Sequence, residues 1–388
     1  MDFTNTEKAF ITKTNRDLKW AHRLFSIMAN PLIQKTGQIG AKVAMKLKLP
    51  IEGIVKKTLF RQFVGGETID KCLPVVEALA KHNVKSILDY SVEGKENEAD
   101  INAALEETLR SVKNAAQNQN IPFAVFKPTA MVQSAVLEKA STGAELNEEE
   151  KVLLDKFKAR IEKLAKTAYE SDIPLLIDAE DSWYQEILDN IADEMMAKYN
   201  KGKAIVFNTW QMYRHDRLEH LKETHQKALE GNYYLGAKFV RGAYMEKERE
   251  RAAEKGYESP IHPDKEATDK AYDDALRFSM EHIDKMSIFN GTHNEESNLL
   301  LCELIEEKGL KKDDERIWFS QLYGMSDHIS FNLAAEGYNV AKYLPYGPVK
   351  HVLPYLLRRA EENTSVGGQS SRELRLIKQE MKRRKQEE

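Results

Sequence analysis

The chain has 388 residues, 41% hydrophobic and 31% charged, enough apolar material for a sizeable core under a well-solvated surface. Its formal net charge of −4, with acids and bases nearly balanced, excludes the one-sided basic field that nucleic-acid binding requires. Its two cysteines, Cys72 and Cys302, lack CxxC spacing and point to a reducing compartment, and no run of 18 apolar residues offers a membrane span.

The first residues, MDFTNTEKAFITKTNRDLKW, bring acids early and no apolar core, so no secretory signal is read there. The mature chain is expected to start near Met1 and to work in the cytoplasm. Residues 1–80 are predicted to form an N-terminal helical arm, with apolar clusters at Trp20–Met28, Ile39–Leu47 and Phe60–Phe63. From Ser86 onward, short β-branched or aromatic runs alternate with longer charged stretches of helical periodicity. The runs are Ser86–Tyr90, Pro122–Lys127, Pro174–Asp178, Ala204–Thr209, Ala237–Arg241, Ser287–Asn290, Ile317–Gln321 and Asn339–Tyr343. Eight such units predict a closed (β/α)8 TIM-type barrel over residues 81–370, whereas an open doubly wound sheet usually carries five or six strands. Residues 371–388, SRELRLIKQEMKRRKQEE, form a charged C-terminal helical tail with Leu374, Ile377 and Met381 at helical spacing. It is read as a solvated helix, the alternative being a weak hold on the inner face of a membrane.

In such a barrel the chemistry sits at the C-terminal strand ends. There the sequence offers Asp89, Lys127, Asp178 with Glu180, Gln211, Lys238, Arg241 with Tyr244, Thr292 with His293, Gln321 and Tyr343. Any one of them could simply meet solvent, but eight converging strand ends make a site. Downstream, YLLRRAEEN reads as helix and places Tyr355, Arg358, Arg359 and Glu362 on one stripe. Adjacent guanidiniums suit a carboxylate, since each planar fork donates paired hydrogen bonds; a solvated charged face is the competing reading. There is no GxGxxG and no Walker loop. His215, His220 and His225 are five apart, which spreads them around a helix, so no metal site is expected.

Taken together, DAED (Asp178–Asp181), KFVRGAYMEKER (Lys238–Arg249), GTHN (Gly291–Asn294), QLYGM (Gln321–Met325), YLPYG (Tyr343–Gly347) and YLLRRAEEN (Tyr355–Asn363) resemble the proline dehydrogenase family, in family order across residues 85–366. The resemblance implies a distorted barrel with the last helix over its mouth, so that the stripe faces the site. It implies oxidation of L-proline to Δ1-pyrroline-5-carboxylate, with FAD as cofactor and a membrane quinone as electron acceptor. It further implies that Lys127, Arg358 and Arg359 hold the proline carboxylate, with Glu362 bracing an arginine and Asp178 supporting Lys127. Tyr343, Tyr355 and Leu322 would pack on the proline ring. Gln211, Lys238, Arg241, Ala243, Thr292 and His293 match cofactor contacts, Lys238 at the basic position near flavin N5. Many bacterial relatives exchange the basic residues at the positions of Lys238 and Arg241, so either could reach the flavin. A dehydrogenase for hydroxyproline or another cyclic amino acid, and a barrel kept as a non-catalytic scaffold, are the other readings.

Overall fold

The computed structural model describes residues 1–30, 52–92, 94–365 and 369–387, the side chains at 361–365 and 369–371 excepted. Eight parallel strands close into one barrel in sequence order. They are β1 (Val84–Tyr90), β2 (Ala124–Phe126), β3 (Leu175–Ile177), β4 (Val206–Gln211), β5 (Leu235–Val240), β6 (Met286–Gly291), β7 (Ile317–Leu322) and β8 (Val340–Tyr346). Each overlaps one of the runs read from the sequence. The barrel closes along β1 and β8, from Val84 opposite Val340 to Tyr90 opposite Tyr346. β1 and β2 share one paired position, Leu88 opposite Ala124, which makes this the least regular sector of the wall.

Strand alternation sorts the side chains into two sets. Phe126, Ile177, Val206, Trp210, Phe239 and Phe319 turn outward and join the helices in the main core. Ile87, Val125, Leu176, Phe207, Phe289 and Ala341 turn inward with Phe123 and Trp318 to plug the barrel. Phe123 stands edge-on to Phe207, Phe289 and Trp318, with centroids 5.8, 5.1 and 5.3 Å away, an arrangement that fills the lumen from the bottom. The outer helices are amphipathic. Glu148–Glu170, for example, opens on an Asn147/Glu150 capping box and buries Phe157, Ile161, Leu164, Ala165 and Ala168 along one stripe.

The two terminal regions pack on each other. The helix Asn15–Met28, begun by a Thr14/Asp17 capping box, buries Leu18, Phe25 and Met28 in a cluster with Phe60, Phe63, Tyr355, Leu356, Leu376 and Ile377. The turn after β7 receives this arm: Gly324 has φ +81°, a Cβ there would stand 2.1 Å from the Gln62 carbonyl oxygen, and Gln62 Nε2 donates to the Gly324 carbonyl at 2.7 Å. The C-terminal tail corrects the solvated reading. The helix Gln369–Glu387 buries Leu376 and Ile377 and packs Leu374 and Met381 on the same cluster. Arg384 donates to the carbonyls of Phe10 and Lys13 at 3.0 and 2.8 Å, so the apolar stripe that suggested a membrane contact is covered by the chain itself. Among the described residues no helix is long and apolar enough to cross a membrane. The Ile39–Leu47 cluster lies outside the described residues.

Candidate active site

The strand ends and the helix Val349–Ser365 enclose a cleft of about 920 Å³, within the range of cofactor and substrate sites. Alternation dictates its floor. Asp89 stands two residues beyond Ile87, Lys127 two beyond Val125, Asp178 two beyond Leu176, Gln211 four beyond Phe207 and Tyr343 two beyond Ala341. Each therefore continues the inward-facing set above the aromatic plug and lines the cleft. A hollow of about 610 Å³ at the other end of the barrel, between residues 115–122 and Ile173, has no charged residue in its lining.

Asp178 is the hub of the floor. Its Oδ2 accepts Lys127 Nζ at 2.8 Å and its Oδ1 accepts Lys238 Nζ at 2.5 Å, while the Tyr343 hydroxyl lies 2.8 and 3.0 Å from the two oxygens and donates to the carboxylate. Burial alone would raise this carboxyl, but the ammonium groups of Lys127 and Lys238 outweigh it and hold the group well below the usual carboxylate range. The Lys238 ammonium also sits 4.7 Å from the centre of the Tyr343 ring. Asp89, a strand-end candidate to which the family resemblance gives no role, lines the same floor. Its Oδ2 accepts the Ser91 hydroxyl at 2.6 Å and its Oδ1 meets no hydrogen-bond donor among the described residues. Burial raises its pKa; Lys127 pulls it back and the charge of Asp178 pushes it further up.

Lys238 and Arg241 part company at the end of β5. Three residues on from Lys238, Arg241 takes the opposite parity and is engaged by Asp269 at 2.7 Å, the Thr292 hydroxyl at 2.6 Å and the Ser297 hydroxyl at 3.0 Å, with its guanidinium 4.4 Å from the Tyr272 ring centre. Next to it Gly242, at φ +126°, brings the backbone against Tyr213, where a Cβ would stand 2.5 Å from the ring, and Ala243 follows in the cleft wall. Thr292 and His293 line the wall after β6. Burial first, then Lys342 and Arg359, push His293 down to about 3, so its ring is neutral.

The helix Val349–Ser365 closes the mouth from above. Tyr355, Arg358 and Arg359 all line the cleft, as does Leu322 at the end of β7. Tyr355 and Arg359 are both buried, the guanidinium 5.0 Å from the tyrosine ring centre, and Arg358 lies over the Tyr244 ring at 5.5 Å. The stripe thus faces the site rather than water. Glu362 belongs to this helix, but its side chain is outside those described. Glu180 is drawn away to brace the neighbouring loop, accepting the Thr129 N–H at 2.9 Å and its hydroxyl at 2.7 Å. Arg372 and Arg375 of the C-terminal helix also line the cleft, and their sequence context, a charged tail, gives no sign of it.

Lys127, Lys238, Arg358 and Arg359 line one cleft with the buried acids Asp89 and Asp178 and with Tyr343, Tyr355 and Leu322, at the strand ends where β/α-barrel enzymes keep their chemistry, and the lining suits a small acid. The chain matches the family model Proline dehydrogenase over residues 72–372 and belongs to that family. It is 34% identical over 323 residues, 83% of each chain, to the carbapenem antibiotics biosynthesis protein CarD of Pectobacterium carotovorum subsp. carotovorum. It is 31% identical over 426 aligned residues to proline dehydrogenase 1, mitochondrial, of Dictyostelium discoideum, covering 98% of this chain and 74% of that one. Among solved structures, proline utilization A of Bdellovibrio bacteriovorus inactivated by N-propargylglycine superposes with a TM-score of 0.75 at 21% identity, a likeness of fold. The superposition covers 94% of this chain and 42% of that longer one.

The family's cofactor is a flavin, and the residues present fit one. Gln211 is buried with an Oε1 that accepts no hydrogen bond among the described residues, which suits an N–H on the edge of an isoalloxazine ring. Thr292, His293, Ala243 and Lys238 surround the same space and supply donors and flat apolar contact.

Proposed function

We propose that the chain oxidises L-proline to Δ1-pyrroline-5-carboxylate at the barrel mouth, the first step of proline catabolism. The observation that carries this reading is the Asp178 hub, with Lys127, Lys238 and Tyr343 on one carboxylate in a cleft that the arginines of the covering helix also line. In this reading Arg358 and Arg359 pair with the substrate carboxylate and Lys127, held by Asp178, adds a third cation. Tyr343, Tyr355 and Leu322 pack on the ring methylenes, and Glu362 braces the arginines. Gln211, Lys238, Arg241, Ala243, Thr292 and His293 hold the cofactor, FAD, with Lys238 at its reacting edge and Arg241 tethering the wall that carries Thr292.

The flavin, when bound, supplies a two-electron acceptor for the hydride released from the substrate ring. The protein's part is orientation and charge. The cations desolvate and fix the carboxylate, which presents the ring carbon to the cofactor face. They also lower the cost of a proton leaving the substrate ammonium, since a cation-lined floor favours the neutral amine. His293 and Tyr343, both uncharged at neutral pH, add no competing charge: burial lowers the first and raises the second. A membrane quinone as the final acceptor, and a cytoplasmic setting with access to the inner membrane face, belong to the same proposal and rest on the family resemblance. The test is anaerobic addition of L-proline to the purified protein while its flavin absorbance is followed. Bleaching is expected, and flavin that stays oxidised refutes the reading.

A further inference from the structure

Behind the His293 side of the cleft runs a chain of hydrogen bonds that begins on the C-terminal helix. Glu373 is 6% exposed, and its Oε1 accepts the backbone N–H of Ser326 at 2.6 Å. Ser326 sits in the left-handed region at φ 50° and ψ 42°, a conformation that a residue with a Cβ keeps when its surroundings hold it there. It precedes the helix Asp327–Ala335, yet its hydroxyl does not cap that helix. The hydroxyl is spent on His293 instead, with Oγ 2.9 Å from Nδ1. The other ring nitrogen, Nε2, receives the Leu322 N–H at 3.4 Å. A backbone N–H can only donate, so Nε2 accepts, and a neutral ring must carry its proton on Nδ1, aimed at Ser326.

The same turn has a second anchor, since Lys342 Nζ pairs with Asp327 at 2.8 Å and donates to the Met325 carbonyl at 2.5 Å. The Lys342 and Asp327 anchor sits on the barrel side; Glu373 holds the turn from outside. Glu373 lies one residue past the region matched by the family model, on the tail helix that the proposed reaction does not otherwise use.

We propose that Glu373 is a positioning residue for this active site: by holding the Ser326 turn it keeps the His293 ring oriented on the cleft wall with Nε2 under the Leu322 N–H, the contact that fixes the tautomer. The inference rests on the reading of His293 as a cofactor contact. Burial pushes the Glu373 carboxyl up, with His328 opposing, and an acceptor oxygen suffices for the role whether or not the group is ionised.

The test uses flavin-loaded Glu373→Ala, Glu373→Gln and Ser326→Gly, with Glu373→Ala also made in a His293→Asn background. Glu373→Ala is expected to slow flavin reduction by proline about tenfold, and Glu373→Gln, which keeps the acceptor, to stay within about twofold of wild type. Ser326→Gly, which tolerates the left-handed turn but lacks the hydroxyl, should behave like Glu373→Ala. In the His293→Asn background the Glu373→Ala change should cost no more than about twofold, because its effect runs through the missing ring. In parallel, nitrogen-15 histidine NMR, with the His293 signal identified by its loss in His293→Asn, should show the Nδ1–H tautomer in wild type and Glu373→Gln and a tautomer mixture in Ser326→Gly and Glu373→Ala. Equal rate losses in both backgrounds, or an unchanged tautomer in Glu373→Ala and Ser326→Gly, overturn the proposal. The NMR reading needs no turnover, so a protein that proline does not reduce fails the proposed reaction while still answering this question. Should Glu373→Ala not fold, the Ser326→Gly variant decides by the same two readings.

Discussion

Replacing Asp178 with Asn removes the charge that binds Lys127, Lys238 and Tyr343 directly while keeping the side chain's size. The two lysine side chains are 11% and 6% exposed, so water cannot take over the role of the carboxylate. The amide still offers one oxygen, but its NH2 then faces an ammonium, donor against donor, and two cations share one buried floor. Taking one partner from a buried ion pair costs about 3–5 kcal/mol. At an unfolding entropy of about 2.1 cal/mol/K per residue, 388 residues give roughly 0.8 kcal/mol per degree, so Asp178→Asn should lower the melting temperature by about 4–6 °C. Scanning calorimetry at pH 7 measures it, with Lys127→Met as the comparison. That variant leaves Asp178 paired with Lys238 and Tyr343 and should lose less. Because the folded carboxyl is held below its ordinary value, its stabilisation is complete above that value and fades as pH falls through the acid range. The gap between wild type and Asp178→Asn should therefore narrow below about pH 4. A melting temperature within about 1 °C of wild type at pH 7 would show that this carboxylate does not hold the two lysines together.

Arg359→Met should lower kcat/KM for proline by about 2–5 kcal/mol, roughly 30-fold to several thousand-fold, since it strips a desolvated partner from the substrate carboxylate; near-normal kcat/KM would mean that the helix does not grip substrate. His293 is pushed down to about 3 and His220 to about 4, burial being the first cause in each. Between pH 7 and 5 the unfolded chain takes up protons that the folded one refuses, so stability should drop by about 2 kcal/mol per histidine by pH 5, seen as a lower urea midpoint that His220→Asn partly levels. Tyr355→Ser should narrow an expected 10- to 100-fold preference for proline over hydroxyproline, mostly by losing activity on proline, because a ring hydroxyl buried against Tyr355 costs about 1–3 kcal/mol. Unchanged discrimination between the two substrates would place Tyr355 away from the ring.

The barrel was legible because each strand combines a short apolar run with a charged helical stretch on either side, and this local pattern survives folding. The boundaries that moved did so for reasons seated elsewhere in the chain. The run at Ala204 starts two residues before β4: Asn200 Oδ1 captures the N–H groups of Ile205 and Val206 at 2.9 and 2.8 Å, and the strand opens at Val206. β8 runs past the predicted end at Tyr343 through Pro345, whose missing N–H is tolerated while its carbonyl accepts the Gly65 N–H from the N-terminal arm at 2.9 Å. The tail was misread for the same kind of reason. A stripe of Leu374, Ile377 and Met381 among lysines and arginines looks solvated until Phe10, Leu18 and Phe25, more than 300 positions away, are brought against it.

At the site, residue types were legible, and of the pairings the family resemblance gave Asp178 with Lys127 but not Asp178 with Lys238. The sequence places Lys238 at the basic position near the cofactor's reacting edge but leaves Arg241 as the other candidate, and parity separates their directions: Lys238 lies inside β5, whereas Arg241, three positions on, follows the strand's end. Lys238 shares the inward parity of Gly236 and lies on Asp178; Arg241 turns to Asp269 and Thr292. What neither parity nor the resemblance supplies is that the Asp178 that holds Lys127, which the sequence ties to the substrate carboxylate, holds Lys238 as well. One buried carboxylate thus links the cation assigned to the substrate with the cation assigned to the cofactor. A change that displaces either ammonium leaves the other more tightly held by Asp178, so substrate grip and cofactor chemistry should vary together in variants of this floor rather than separately.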